Sequence, residues 1–215
     1  MSSHASDMPS RGEVVAVHGL WNRGPELFVL RRNLERALGL PVAQFRYSTM
    51  DSGLDEVVEA LGEFVAARPG PEVHLVGHSL GGLLVLNALL AGGLPRGRAV
   101  LLGAPVNGSA AAAGAARWPF APRLVGSLLP EALERAPYPA PVDRDVGSIA
   151  GDVGVGVGRL VCRFAGPSDG TVAVAETKLP DRPHYRLRAT HTGLLFSREA
   201  AEAAARFLRS GRFVP

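Results

Sequence analysis

The stretch EVHLVGHSLGGLLVLNALL, Glu72 to Leu90, limits the folds open to this chain more than any other. A short apolar run stops at Gly77, a serine stands between two glycines, and a long apolar run follows at once. A strand that becomes a helix with so little chain between them needs a sharp turn, and the small flanking residues let that turn pass close to its neighbours. Ser79 is therefore a candidate nucleophile. The amide of Leu80, first in the following helix, is aimed where negative charge would develop.

A second stretch, GPSDG from Gly166 to Gly170, fits the same Gly-x-Ser-x-Gly spacing. With 26 glycines in the chain, the spacing alone is weak and its surroundings decide. CRFAGPSDGTVAV offers a strand but no helix, because Pro167 precedes Ser168 and a β-branched segment follows. Ser79 fits a nucleophile turn; Ser168 does not.

The rest of the chain alternates in the same sense. EVVAVHGL, VAQFRYS, EVHLVG and GRAVLLGAP read as strands. Between them, GPELFVLRRNLERALG carries Leu27, Leu30, Leu34 and Leu38 at helical spacing and ends at Gly39, and GLDEVVEALGEFVAA repeats the pattern until Pro69 and Gly70. RLVCRFAG and HYRLRAT read as two further strands, with Cys162 buried in the first, and REAAEAAARFLR as a closing helix capped by Ser197. Continuous apolar strands separated by helices imply an α/β fold: a mostly parallel sheet of about six strands with helices on both faces. Such sheets bind ligands at the carboxyl ends of their strands.

Residues 13–215 read as one domain, preceded by a flexible tail at 1–12. The pattern lapses over about 106–158, a proline-rich connection with an alanine patch and a glycine-valine run. Two readings stand for it: a long connection with short helices, or a partial lid whose Trp118 and Phe120 help form an acyl-binding wall.

A serine hydroxyl needs a histidine to take its proton and a carboxylate to orient that histidine. Of the six histidines, His4 lies in the tail, His74 inside a strand, and His78 should point away from the serine. His18 braces the HGL turn. His184 begins the last strand, at the end remote from the carboxyl edge, and is the main competitor of His191, which follows that strand. The same rule favours Asp169, just after RLVCRFAG, over Asp145 and Asp152 before that strand and Asp181 ahead of the last. Each backbone donor to an oxyanion is worth about 3 kcal/mol of barrier. One donor is assigned to Leu80, and the loop HGLW after the first strand offers Leu20 as the second.

HGLW, GHSLGG, PSDGTV and THTGLL, with Ser79, Asp169 and His191 in that order, resemble the α/β-hydrolase superfamily, specifically its small esterases and lipases with little or no cap. The resemblance runs from about Val14 to the last helix. It implies an α/β-hydrolase fold lacking the first two strands of its full form. It also implies a Ser79–His191–Asp169 triad with an oxyanion hole at Leu20 and Leu80, and no metal or organic cofactor. The expected activity is carboxylic-ester hydrolysis through an acyl-serine, with acyl transfer or thioester cleavage as alternatives and an inert binding module as a rival of another class. Trp21, with Trp118 and Phe120, suggests an apolar acyl group.

The expected partner is a small or lipid-like ester. A net charge of +3 is too small to argue for nucleic acid. The apolar run from Leu83 is too short to span a bilayer, so membrane contact is expected to be at most transient and superficial. MSSHASDMPSRGE lacks the apolar core of a secretory signal. That points to the cytoplasm, or to secretion had a signal already been removed.

Overall fold

Why the apolar runs become a covered parallel sheet follows from how they pack. The computed structural model describes residues 12–20, 26–50, 52–120, 123 and 125–214. Its strands are β1 (Glu13–Val17), β2 (Val42–Phe45), β3 (Val73–His78), β4 (Ala99–Leu102), β5 (Val146–Gly151) and β6 (His184–Leu187). They form one sheet in the order β2-β1-β3-β4-β5-β6, and every pairing is parallel. Parallel neighbours require crossovers: α1 (Leu27–Leu38), α2 (Leu54–Ala66) and α3 (Leu80–Ala91) connect the first four strands in turn, the short α4 (Ala110–Ala115) and α5 (Leu128–Glu134) lie between β4 and β5, two 3-10 turns (Val157–Leu160 and Val174–Thr177) lie between β5 and β6, and α6 (Gly193–Phe196) and α7 (Arg198–Ser210) follow β6. This is the α/β-hydrolase architecture.

Alternate residues of each strand feed two cores. Val15 and Val17 of β1 and Leu75 of β3 pack with α2 and α3 on one face, while Val14, Ala16 and Val76 pack with α1 and α7 on the other. Helix α1 presents Leu27, Leu30 and Leu34 inward, and Gly39 ends it in a left-handed conformation (φ 69°). Helix α3 is buried from Leu80 to Leu89 on all sides, as an apolar helix without a polar face must be. Its one polar interior residue, Asn87, is satisfied at both ends of its amide: Nδ2 donates to the Leu83 carbonyl and the Tyr138 hydroxyl, and Oδ1 accepts from Arg135.

The fifth strand is not the expected one. The first two residues of RLVCRFAG end a 3-10 turn (Val157–Leu160) and the rest is irregular chain, in which Cys162 is half-buried rather than packed in a strand. The strand is VGSIAG instead, within the segment read as a connection. Its glycines and serine lower strand propensity, but its neighbours require them. A Cβ on Gly147 would sit 2.6 Å from the Phe207 ring and 2.7 Å from the Phe213 ring. One on Gly151 would run into the Ala189 carbonyl and come within 3.0 Å of Asp169 Cβ. Asp152, assigned to the amino side of a strand, therefore follows β5 at its carboxyl end. Its carboxylate is 2.7 Å from Arg186.

Gly147→Ala is expected to destabilise the fold by about 1–3 kcal/mol through overpacking, read as a lower urea midpoint. Gly166→Ala, with open space at its Cα, should leave that midpoint unchanged.

Candidate active site

Ser79 lies at the tip of β3 with φ 55° and ψ −122°, a conformation that costs a residue with a side chain about 1–3 kcal/mol. Close contacts hold it there. A Cβ on Gly77 would meet the Gly81 carbonyl at 2.5 Å, and one on Gly81 would collide with the carbonyls of Val17 and His18. Only glycine lets the turn pass this close to β1. The Ser79 amide donates to the Leu102 carbonyl at 2.9 Å, and its own carbonyl accepts from Gly82 at 2.9 Å. Leu80 opens α3 directly behind the serine.

The loop after β1 reaches the same point. A Cβ on Gly19 would come within 3.0 Å of Ser79 Cβ, so Leu20, the next residue, begins where the serine side chain emerges. His18 sets this loop. Its ring stacks on Tyr47 at 4.2 Å, its Nδ1 donates to the Gly19 carbonyl, and its own carbonyl accepts from the Tyr47 hydroxyl at 2.7 Å. Trp21 lies outside the described residues.

Asp169 and His191 are paired. His191 Nδ1 is 2.7 Å from Asp169 Oδ2, and the His191 amide donates to the Asp169 carbonyl at 2.9 Å. The other carboxylate oxygen, Oδ1, accepts from the amides of Thr171 and Val172 at 2.9 and 2.7 Å. Asp169 is 1% exposed, yet both its oxygens are occupied, which is what a buried carboxylate requires. With Nδ1 donating to the acid, the His191 Nε2 holds a lone pair for a proton.

Gly170, at φ 91°, makes the turn, and any side chain there would run into Val155 and Gly156 of the glycine-valine run. Glu176 secures the loop's far end: one oxygen accepts from the Ala173 amide and the other from the Ala110 amide at the head of α4. Ser168 is buried inside this turn and bridges to Ala173.

The residue missed by sequence reasoning is His78. Set aside because its side chain is expected to point away from the serine, it is buried against His191. The two rings lie 4.7 Å apart, and His78 Nε2 is 3.1 Å from the His191 carbonyl. Its Nδ1 faces Gly19. His78 thus stands between the loop of the candidate base and the loop after β1. Burial, with smaller help from the His191 charge, pushes its pKa down to about 3, so it remains an uncharged spacer.

The competing residues have other tasks. His184 Nε2 donates to Thr177 Oγ1 at 2.9 Å, His74 Nδ1 accepts from the Arg98 amide at 3.0 Å, and Asp145 pairs with Arg98. Trp118 and Phe120 are 52% and 65% exposed.

The sequence profile of the alpha/beta hydrolase family matches residues 14–214, and the chain belongs to that family. No curated protein matches it in sequence. Among solved structures it is similar to the mature lipase of Bacillus licheniformis (TM-score 0.69, 18% identity, covering 95% of this chain and 94% of that one). It is also similar to a metagenomic carboxyl esterase (0.66, 17%, 94% and 75%) and to the monoacylglycerol lipase of Paleococcus ferrophilus (0.63, 18%, 94% and 96%).

The neutral burial of His78 has a measurable consequence. Its folded pKa lies below the ordinary 6.5, so the unfolded chain binds the extra proton, and stability is full above about pH 6.5 and falls as pH drops toward 3. His18, His74 and His184, also lowered mainly by burial, act in the same direction. Urea unfolding is expected to show a loss of about 2 kcal/mol from His78 alone between about pH 7.5 and 5. His78→Gln should flatten that slope.

Proposed function

We propose that this protein is a serine hydrolase of carboxylic esters. One observation carries the reading: a buried Asp169–His191 pair at 2.7 Å is packed onto His78, the residue that precedes a strained serine. In this mechanism His191 Nε2 takes the Ser79 proton as Oγ attacks the acyl carbon. Asp169 holds the tautomer that leaves Nε2 free and steadies the imidazolium that forms. The amides of Leu20 and Leu80 receive the developing oxyanion.

His191 then protonates the leaving alcohol. Water, deprotonated by the same imidazole, releases the acid from the acyl-serine and returns the proton. Every step uses groups of this chain and water. An apolar acyl chain is the expected substrate half, with Trp21 and the exposed rings of Trp118 and Phe120 as its expected contacts. The rest of the reading is a single domain over residues 13–215, without a resident cofactor. Among the described residues, no helix is long and apolar enough to cross a membrane.

A fluorophosphonate probe should label the wild-type protein and fail to label Ser79→Ala; equal labelling of both removes Ser79 from the mechanism. Asp169→Asn is expected to lower kcat by about 10⁴-fold through the wrong histidine tautomer. Ser168→Ala, one residue away, should retain activity on p-nitrophenyl esters. Running that ester series from acetyl to palmitoyl then reads the acyl preference directly.

A further inference from the structure

Beside the acid loop, two segments meet that share an unusual composition. Residues 107–130 and 153–168 contain no Asp or Glu, but hold Arg117, Arg123, Arg159 and Arg163, all exposed. The segments touch at Gly114, where a side chain would strike the Val161 carbonyl. The second also packs on Gly170, next to Asp169, so both stand on the carboxyl-edge side of the sheet, with Ser79.

Exposed on these segments are Trp118, Phe120, Val155, Val157 and Leu160, each between 52% and 76% accessible. Large apolar side chains this exposed, on two segments that touch at Gly114 and Val161, mark a contact surface. No ion pair among the described residues engages any of the four arginines. Arg159, though exposed, donates to the Gly154 carbonyl at 3.0 Å.

We infer that this surface docks the protein on anionic lipid bilayers. A bilayer interface takes both halves of the pattern: aliphatic and aromatic tips enter the acyl boundary while guanidinium groups meet headgroup phosphates. A nucleic acid would satisfy the arginines but leave Val155, Val157 and Leu160 against hydrated phosphates. The inference goes beyond ester hydrolysis and stands on the surface alone, since it needs no turnover. Docked in this way, the protein presents the Asp169 side of the site toward the membrane.

The experiment uses the full chain carrying Ser79→Ala, so that binding and hydrolysis are separated. It is sedimented with vesicles of phosphatidylcholine alone and of phosphatidylcholine mixed with phosphatidylglycerol. Partition onto the anionic vesicles is expected to be at least about tenfold stronger and to weaken as salt shortens the Debye length. Leu160→Asp and the pair Arg117→Glu with Arg163→Glu should each lower it by about tenfold or more. In the background with Ser79 intact, neither change should alter thermal midpoint or rate on a soluble short-chain ester. Equal partition onto both vesicle types, no partition at all, or partition undiminished in the variants overturns the inference, as does equally tight binding to a single-stranded oligonucleotide.

Discussion

The backbone of Ser79 is held where a side-chain-bearing residue does not rest of its own accord, and the rest of the site is arranged around that constraint. A φ of 55° must be sustained by neighbours that leave the turn no alternative. Gly77 and Gly81 do so by removing the atoms that would keep β3, the head of α3 and the end of β1 apart. Because α3 is buried on every side, the helix cannot shift to relieve the turn without disturbing the core beneath it. The strain at one residue is thus sustained by a helix packed on every side.

Around that fixed point the acid and base arrive on loops, and loops need tethers. Asp169 is tethered through its own carboxylate to two amides of its turn, and Glu176 ties the end of that turn to α4. His191 is tethered at its ring, its amide and its carbonyl, by Asp169 twice and by His78 once. Gly103, at the end of β4, leaves room beneath them: a Cβ there would crowd His191 Nδ1 at 3.1 Å and Asp169 Oδ2 at 3.2 Å. A site on loops acquires the precision of one built on strands when each mobile residue is bonded at several atoms.

β1 to β4 and β6 were legible in the sequence, as were α1, α2, α3 and α7, because their apolar patterns and their glycine or proline stops agree. β5 was not, because its residues answer to the rings of Phe207 and Phe213 and to the Asp169 turn rather than to strand propensity. Asp169 follows irregular chain, not a strand, and stands at the carboxyl end of β5 because the chain returns to Gly151 after a long excursion. His78 against His191 was beyond reach in principle. That contact joins a strand tip to a loop far along the chain, and only the completed sheet brings them together.

The glycines of β5 carry one more implication. Where a strand residue supplies no side chain, its neighbours fill the layer, so the identity of position 147 is set by the aromatic rings of α7 and the carboxyl-terminal segment. Acceptable replacements at Gly147, Phe207 and Phe213 should therefore be correlated, a larger residue at the first surviving only beside a smaller one at the others. In a set of diverged relatives, that triplet would vary as one unit, and the volume the three share, rather than any one of the residues, is what selection would preserve.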